Sequence, residues 1–479
     1  MGRGLLLGGA VWMLACGDAG DADPGSTGPA PGTSGGTTAT SEGDTGDTGD
    51  TPTTDAPTTA PTTDAPTTTS TTDAPTTSPG DTTDTTDTGD TGGADLEIGA
   101  WVDEPGVCPP GTVQVDLDSV AQLEAASRGE QPHDQDGPGT CYFIHDGEYP
   151  QGDALLLYMQ HGGTADQPIY WIGESRDGVR IVGRATFDPG ASHIVMHNLT
   201  FDLSGYDDPD PFNTIDIGEV QDITLSHLTL TGDCATGLKG GHIETNGVDG
   251  LRVEACLIEN YGHCGPDGHE DHGVYLAGGK HLSFVNNVIR GNASRGIQMY
   301  TQNGDYGTLD AVVIERNRIH ENGHGDHEDG IVINAKKLGT ISDVQIRHNL
   351  IYRNYFSGVR FAGPATADIV IEHNTFAANG IGSDAANRSE INIDEPGLAA
   401  NASITGNIFA VDLAAINDCG GAESMGFSLA NNVILGTVAT GDDACVSATI
   451  AIDPQFVDPA AADFHPQNPA AADHGAYAP

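Results

Sequence analysis

A six-residue unit that returns again and again from about residue 190 onward constrains this chain more than any other feature. It spans 284–289 with Asn287 in its fourth place. It recurs at 314–319, 346–351, 371–376, 404–409 and 429–434, with Asn317, Asn349, Asn374, Asn407 and Asn432 in that place. Three earlier copies carry Leu199, Leu228 and Cys256 there, and successive places lie about 25–33 residues apart. Within each unit apolar residues alternate, the period of a strand, while Gly and Asn mark the breaks. A period of two inside strands and about thirty between them suits a chain that winds in coils, each strand hydrogen-bonding to its equivalent one coil away. The fold class is therefore all-β, a solenoid of at least nine coils. Asparagine at the fixed corner tolerates a left-handed backbone, and its amide can bond to the copies above and below. Cys256 in that place is expected to be buried and unpaired.

Both ends of such a coil need covering, because they expose edge strands and core. Val120, Leu123 and Ala126 give 119–127 the spacing of a short amphipathic cap helix. At the other end the run 453–459, followed by Phe464, is expected to close the solenoid.

The N-terminus is a different polymer. Arg3 precedes an apolar stretch, Leu5 to Leu14, too short to cross a bilayer as a helix. The sequence Met13-Leu14-Ala15-Cys16 resembles the bacterial lipobox, which implies cleavage after 1–15, lipidation of Cys16 and a membrane anchor. Gly17 after the cysteine is similar to lipoproteins of the outer membrane. Residues 16–93 repeat Asp-Ala-Pro-Thr-Thr and hold almost no large apolar side chain. They read as a disordered linker that cannot offset its ordering entropy. Residues 94–479 form the folded domain.

The net charge of −51, from 69 acids against 18 bases, argues against nucleic acid, which needs clustered Lys and Arg. Nothing in the repeat calls for a partner subunit, so a monomer is expected. Apart from Cys16, an oxidising envelope makes disulfides the default for the cysteines. The pairs expected are Cys108 with Cys141, Cys234 with Cys264, and Cys419 with Cys445.

The whole of 108–479 resembles the right-handed parallel β-helix superfamily that includes pectate-lyase-like proteins. The segments 147–149, 163–169 and 179–183 are similar to the opening coils of its bacterial polysaccharide lyases and epimerases. The resemblance implies a saccharide groove on one exposed face. A second recurring strand supplies that face with Asp216, Glu244, Tyr275, Gln298, Val332, Arg360 and Asn392, and with Asn246, Tyr300, Asn334 and Asp394 one register along. Two loops rich in His and acid, 263–272 and 320–329, lead into it. In lyase or epimerase chemistry a His or Tyr removes the proton α to a uronate carboxylate while another group neutralises that carboxylate. His269, His272, Tyr275, His327 and Arg360 are the catalytic candidates, and Glu244, Gln298, Tyr300, Asn334 and Asn392 the substrate-binding ones. Arg295 and Lys280 are further nearby cations. A Ca²⁺ held by Asp267, Glu270 and Asp271 could take the neutralising role, and 267–270 is loosely similar to the Asp-Pro-His-Glu motif of alginate epimerases. Two other readings stay open. Glu244 and Asp216 could hydrolyse a glycosidic bond as paired carboxylates. Alternatively the domain is a non-catalytic rod for display or adhesion.

Overall fold

The computed structural model describes residues 97–150, 157–205, 212–241, 247–263, 272–301, 307–324, 328–335, 339–363, 366–382, 389–393, 401–416, 427–437 and 449–479. Each coil contributes three short strands, and the strands stack in parallel into three faces. The first face is a 12-stranded sheet. Its inward positions stay in register from coil to coil, as in Val253, Phe284, Ile314, Ile346, Ile371 and Ile404. The second face carries Ile258, Ile289, Ile319, Ile351, Phe376 and Phe409 in one inward file. The third carries Ile215, Leu238, Val274, Ile297, Ile331, Val359 and Ile391. All of these are buried. Each such side chain contributes about 1.5–3 kcal/mol, which is how alternating β-branched residues drive the winding.

The corner asparagines form the expected file, but they do not supply the left-handed backbone. The residue before each one does: Asn286, Arg316, His348, His373 and Asn431 all have φ between 52° and 57°, and Gly406 has 65°. The asparagine after it is turned inward, and its side-chain N–H donates to the carbonyl oxygen of the next. The distances are 2.9 Å from Asn287 to Asn317, 3.0 Å to Asn349, 2.9 Å to Asn374, 3.1 Å to Asn407 and 3.0 Å to Asn432. Pairing buried amides with each other avoids the penalty of leaving them unsatisfied. Cys256 continues this file, buried and free. Its backbone N–H donates to the Asn287 oxygen at 2.9 Å, and burial pushes the thiol up to about 12.

A second file, at the corner between the second and third faces, was not foreseen. Asn292 donates to Asn322 at 2.8 Å, Asn322 to Asn354 at 3.0 Å and Asn354 to Asn379 at 2.8 Å. Asn379 donates in turn to Glu390.

The cap helix spans Val120–Arg128 and sets Leu123 and Ala126 into the core. The C-terminal tail differs from expectation. Its short hairpin, Phe456–Asp458 with Asp463–Pro466, and the residues after it lie along the outside of the second face rather than over the open end. Phe464 packs 5.1 Å from Tyr352, and the Ala476 N–H donates to Thr375 at 3.0 Å. The reason is visible in the strands beneath. Leu350, Tyr352, Ala377, Ile408 and Val433 are apolar at outward positions and need cover.

An extended N-terminal strap, residues 97–108, runs the other way along the corner between the first and second faces. Arg318 binds Glu97 and the carbonyl of Ile98, and Asn286 bonds both Gly99 and Ala100. Asn198 donates to the Glu104 carbonyl at 2.6 Å, and Gly106 donates to Glu174 at 2.9 Å. The strap ends at the disulfide between Cys108 and Cys141. Cys234 is also disulfide-bonded. Cys264, Cys419 and Cys445 lie outside the described residues, as does Cys16.

Candidate functional site

Two files of side chains on the third face bring the candidates together. The outward file reads Asp216, Lys239, Tyr275, Gln298, Val332, Arg360, Asn392. Lys239, not Glu244, therefore stands between Asp216 and Tyr275. The strand there is Ala235–Gly240, whose Leu238 enters the core, while Glu244 itself lies outside the described residues. One register along, Tyr300 and Asn334 are neighbours in successive coils.

The second file sits three residues earlier in each coil. Backbone bonds join Gly237 to His272, Gly273 to Arg295, Gly296 to Asp329 and Gly330 to Ser357, so His272, Arg295, Asp329 and Ser357 stack one above another. Each of the last four is followed by a glycine for a physical reason. A Cβ on Gly296 would lie 2.6 Å from the Gly330 carbonyl oxygen and 2.9 Å from the Asn322 amide nitrogen. The second asparagine file thus packs directly behind this corner, and it fixes where the stacked side chains project.

His272 is 3% exposed, and its backbone N–H donates to Thr236 at 3.2 Å. Burial, with the nearby Arg295 charge, holds its imidazole well below the usual histidine range, so it is neutral at pH 7. Its Nδ1 is buried with no hydrogen-bond partner among the described residues. The ring lies 5.6 Å from that of Tyr275, which in turn stacks at 6.3 Å on Tyr300. Gln298 accepts a bond of 2.8 Å from Arg295. Arg295 also makes a two-point pair with Glu328, at 2.9 and 2.7 Å. One coil on, Arg360 faces Asp329 at 3.7 Å and Phe356 at 5.8 Å. Asp329 is fully buried and accepts from the Ser357 backbone and hydroxyl.

The structure thus brings His272, Tyr275, Gln298, Tyr300 and Arg360 together on the third face, with Asn334 and Asn392 further along it. Only Tyr275, Asn334 and Arg360 are partly exposed; His272, Gln298, Tyr300 and Asn392 are buried, where an open groove was expected. Val332 interrupts the polar file. His269, His327, Asp267, Glu270 and Asp271 lie outside the described residues, as do Asn246 and Asp394. Among the described residues no group of three or more His, Cys, Asp or Glu is placed to hold a metal ion. Lys280 is not near the face. It opens a first-face strand and pairs with Asp249 at 3.1 Å. His320 also points elsewhere, stacked on Tyr352 at 4.6 Å on the second face. Lys239, Glu328, Asp329 and Ser357 are the members of the site that sequence reasoning did not single out. The usable signal was the glycine directly before four successive third-face strands, Gly273, Gly296, Gly330 and Gly358, which puts the residue before it at the corner.

The family described as right handed beta helix region matches residues 191–376. The fold is a right-handed parallel β-helix. No curated protein matches the sequence. Several solved structures are similar in fold. The A-module of mannuronan C-5 epimerase AlgE4 from Azotobacter vinelandii is 16% identical with a TM-score of 0.46, covering 72% of this chain and 98% of its own. Pectate lyase Pel9A is 14% identical with a TM-score of 0.41, covering 72% and 84%. An alginate lyase from Paenibacillus sp. is 16% identical with a TM-score of 0.38, covering 71% and 99%.

Proposed function

We propose that the third face binds an acidic polysaccharide laid along the rod. The observation that carries this reading is the outward file in which Lys239, Tyr275 and Arg360 are partly exposed, offering an aromatic ring and two cations from stacked coils. A polymer meets such a file repeatedly, whereas a small molecule meets one or two members. Aromatic rings take the apolar face of a sugar while Lys and Arg take its carboxylates. A second reading adds chemistry at the same place. His272 is kept neutral beside Tyr275 and Tyr300, the state a base needs to remove the proton α to a uronate carboxylate. Asp267, Glu270 and Asp271 remain the proposed ligands should Ca²⁺ take part. Paired-carboxylate hydrolysis by Asp216 and Glu244 loses its support, since Lys239 holds the place beside Asp216 that Glu244 was expected to fill. The lipobox-like sequence at Cys16 supports a location at the cell envelope, with the outer membrane as the proposed site.

The test uses residues 94–479 with polygalacturonate and alginate, with and without calcium. Affinity electrophoresis reads binding, and ultraviolet absorbance reads the unsaturated sugar that elimination creates. Tyr275→Ala is expected to weaken binding about tenfold, equivalent to about 1.4 kcal/mol. His272→Ala is expected to abolish any absorbance signal while binding persists. Binding without absorbance on every substrate excludes elimination on that panel. No binding to any acidic polysaccharide removes the proposal.

A further inference from the structure

We propose that Asp329 sets the pH dependence of anion binding on the third face, placing a negative charge beside Arg360 when ionised and removing it when protonated. The inference rests on the reading that this face holds an acidic polysaccharide. It stands on four observations. Asp329 is fully buried, so it cannot touch a ligand and acts only through a neighbour. One of its oxygens is held by the Ser357 backbone N–H and hydroxyl, which points the other toward Arg360 at 3.7 Å. Arg360 is the partly exposed member of that pair, with 29% of its side chain open, and it stands in the ligand-facing file. The charged groups facing Asp329 among the described residues are Arg295 from the coil before, Glu328 beside it and Arg360 from the coil after. One proton on Asp329 removes one negative charge from beside Arg360, whatever else Arg360 contacts.

Burial lifts the Asp329 carboxyl to about 7, against the pull of Arg360 and Ser357, so the exchange falls near neutral pH. Linkage then requires the converse. An anion that pairs with Arg360 weakens its hold on Asp329, and so draws a proton onto the carboxyl. Binding near pH 7 should take up a proton, and affinity should rise as pH falls.

The experiment measures polygalacturonate binding to residues 94–479 by calorimetry from about pH 5.5 to about pH 8.5, where the sugar carboxylates stay ionised. Two buffers of different ionisation enthalpy report proton uptake. The wild type is expected to lose affinity roughly tenfold across the range and to take up protons near pH 7. Asp329→Asn, a fixed stand-in for the protonated side chain, should keep the low-pH affinity throughout and take up none. Ser357→Ala, a smaller change, removes a hydrogen bond that favours the ionised form and should move the midpoint to higher pH. An unchanged pH profile in both variants, or a flat profile in the wild type, overturns the inference and leaves the binding reading standing. No binding at any pH by any of the three proteins overturns both.

Discussion

Glu390, whose carboxylate reaches in from beside Ile391, takes the place of the amide oxygen that would continue the second asparagine file, and it makes the end of that file titratable. It is 2% exposed, accepts from Asn379, and burial pushes its carboxyl up to about 8 from 4.5. A folded-state pKa above the unfolded one means the native chain holds the proton more tightly. The contribution to stability is therefore complete below about pH 4.5 and is lost progressively as pH rises toward about 8. Glu390→Gln, which keeps the shape and cannot ionise, should match the wild type in urea unfolding near pH 4 and exceed it near pH 8. Equal midpoints at both pH values would show that the carboxyl is not buried as a proton holder. At this scale much was legible. The first asparagine file follows from a repeat that anyone aligning the units would see. The second was equally present as Asn five residues after Asn287, Asn317, Asn349 and Asn374, but it carries no apolar alternation to draw attention. The left-handed residue was misassigned because Arg316, His348 and His373 are not residues that advertise such a backbone, and only the inward turn of the following amide stabilises them there.

Strands were readable wherever β-branched residues alternate, which is why the third face was placed correctly at Val274, Ile297, Ile331, Val359 and Ile391. It failed at one coil. The segment 243–245 alternates better than Ala235–Gly240, which is rich in glycine, yet tertiary stacking put the latter in the sheet. Lys239 was missed for that reason alone. The C-terminal tail was recognised as a cover but not as a lateral one. Its docking is governed by outward apolar residues on the second face, and those read in sequence simply as strand. Phe464 is the tail's anchor, buried against Tyr352 and Phe456. Phe464→Ala should cost about 3 kcal/mol, and it should raise binding of a hydrophobic dye as Leu350, Tyr352 and Ala377 lose their cover. A cost within about 0.5 kcal/mol of zero would mean that the tail contributes no packing.

The whole molecule divides by composition before it divides by structure. Residues 16–93 lack the apolar side chains that a core needs, and the described fold begins at Glu97. Calorimetry of residues 94–479 and 16–479 is therefore expected to give melting temperatures within about 2 °C of each other. A start at residue 109, which removes the strap and its disulfide, should lower the value clearly. A fall on removing 16–93 alone would reveal packing that their composition does not suggest. The strap has a consequence for the lineage of the protein as well. From Arg318 back to Cys141 it passes six coil-to-coil steps, about 29 Å, with about ten residues able to span about 33–36 Å. Solenoids ordinarily lengthen or shorten when a stretch of gene encoding one coil is duplicated or lost, since each coil contacts only its neighbours. Here a duplication between residues 144 and 318 would stretch the strap to its limit or tear it from Asn286 and Arg318. Copy number in that half of the rod is thereby counted by a tether.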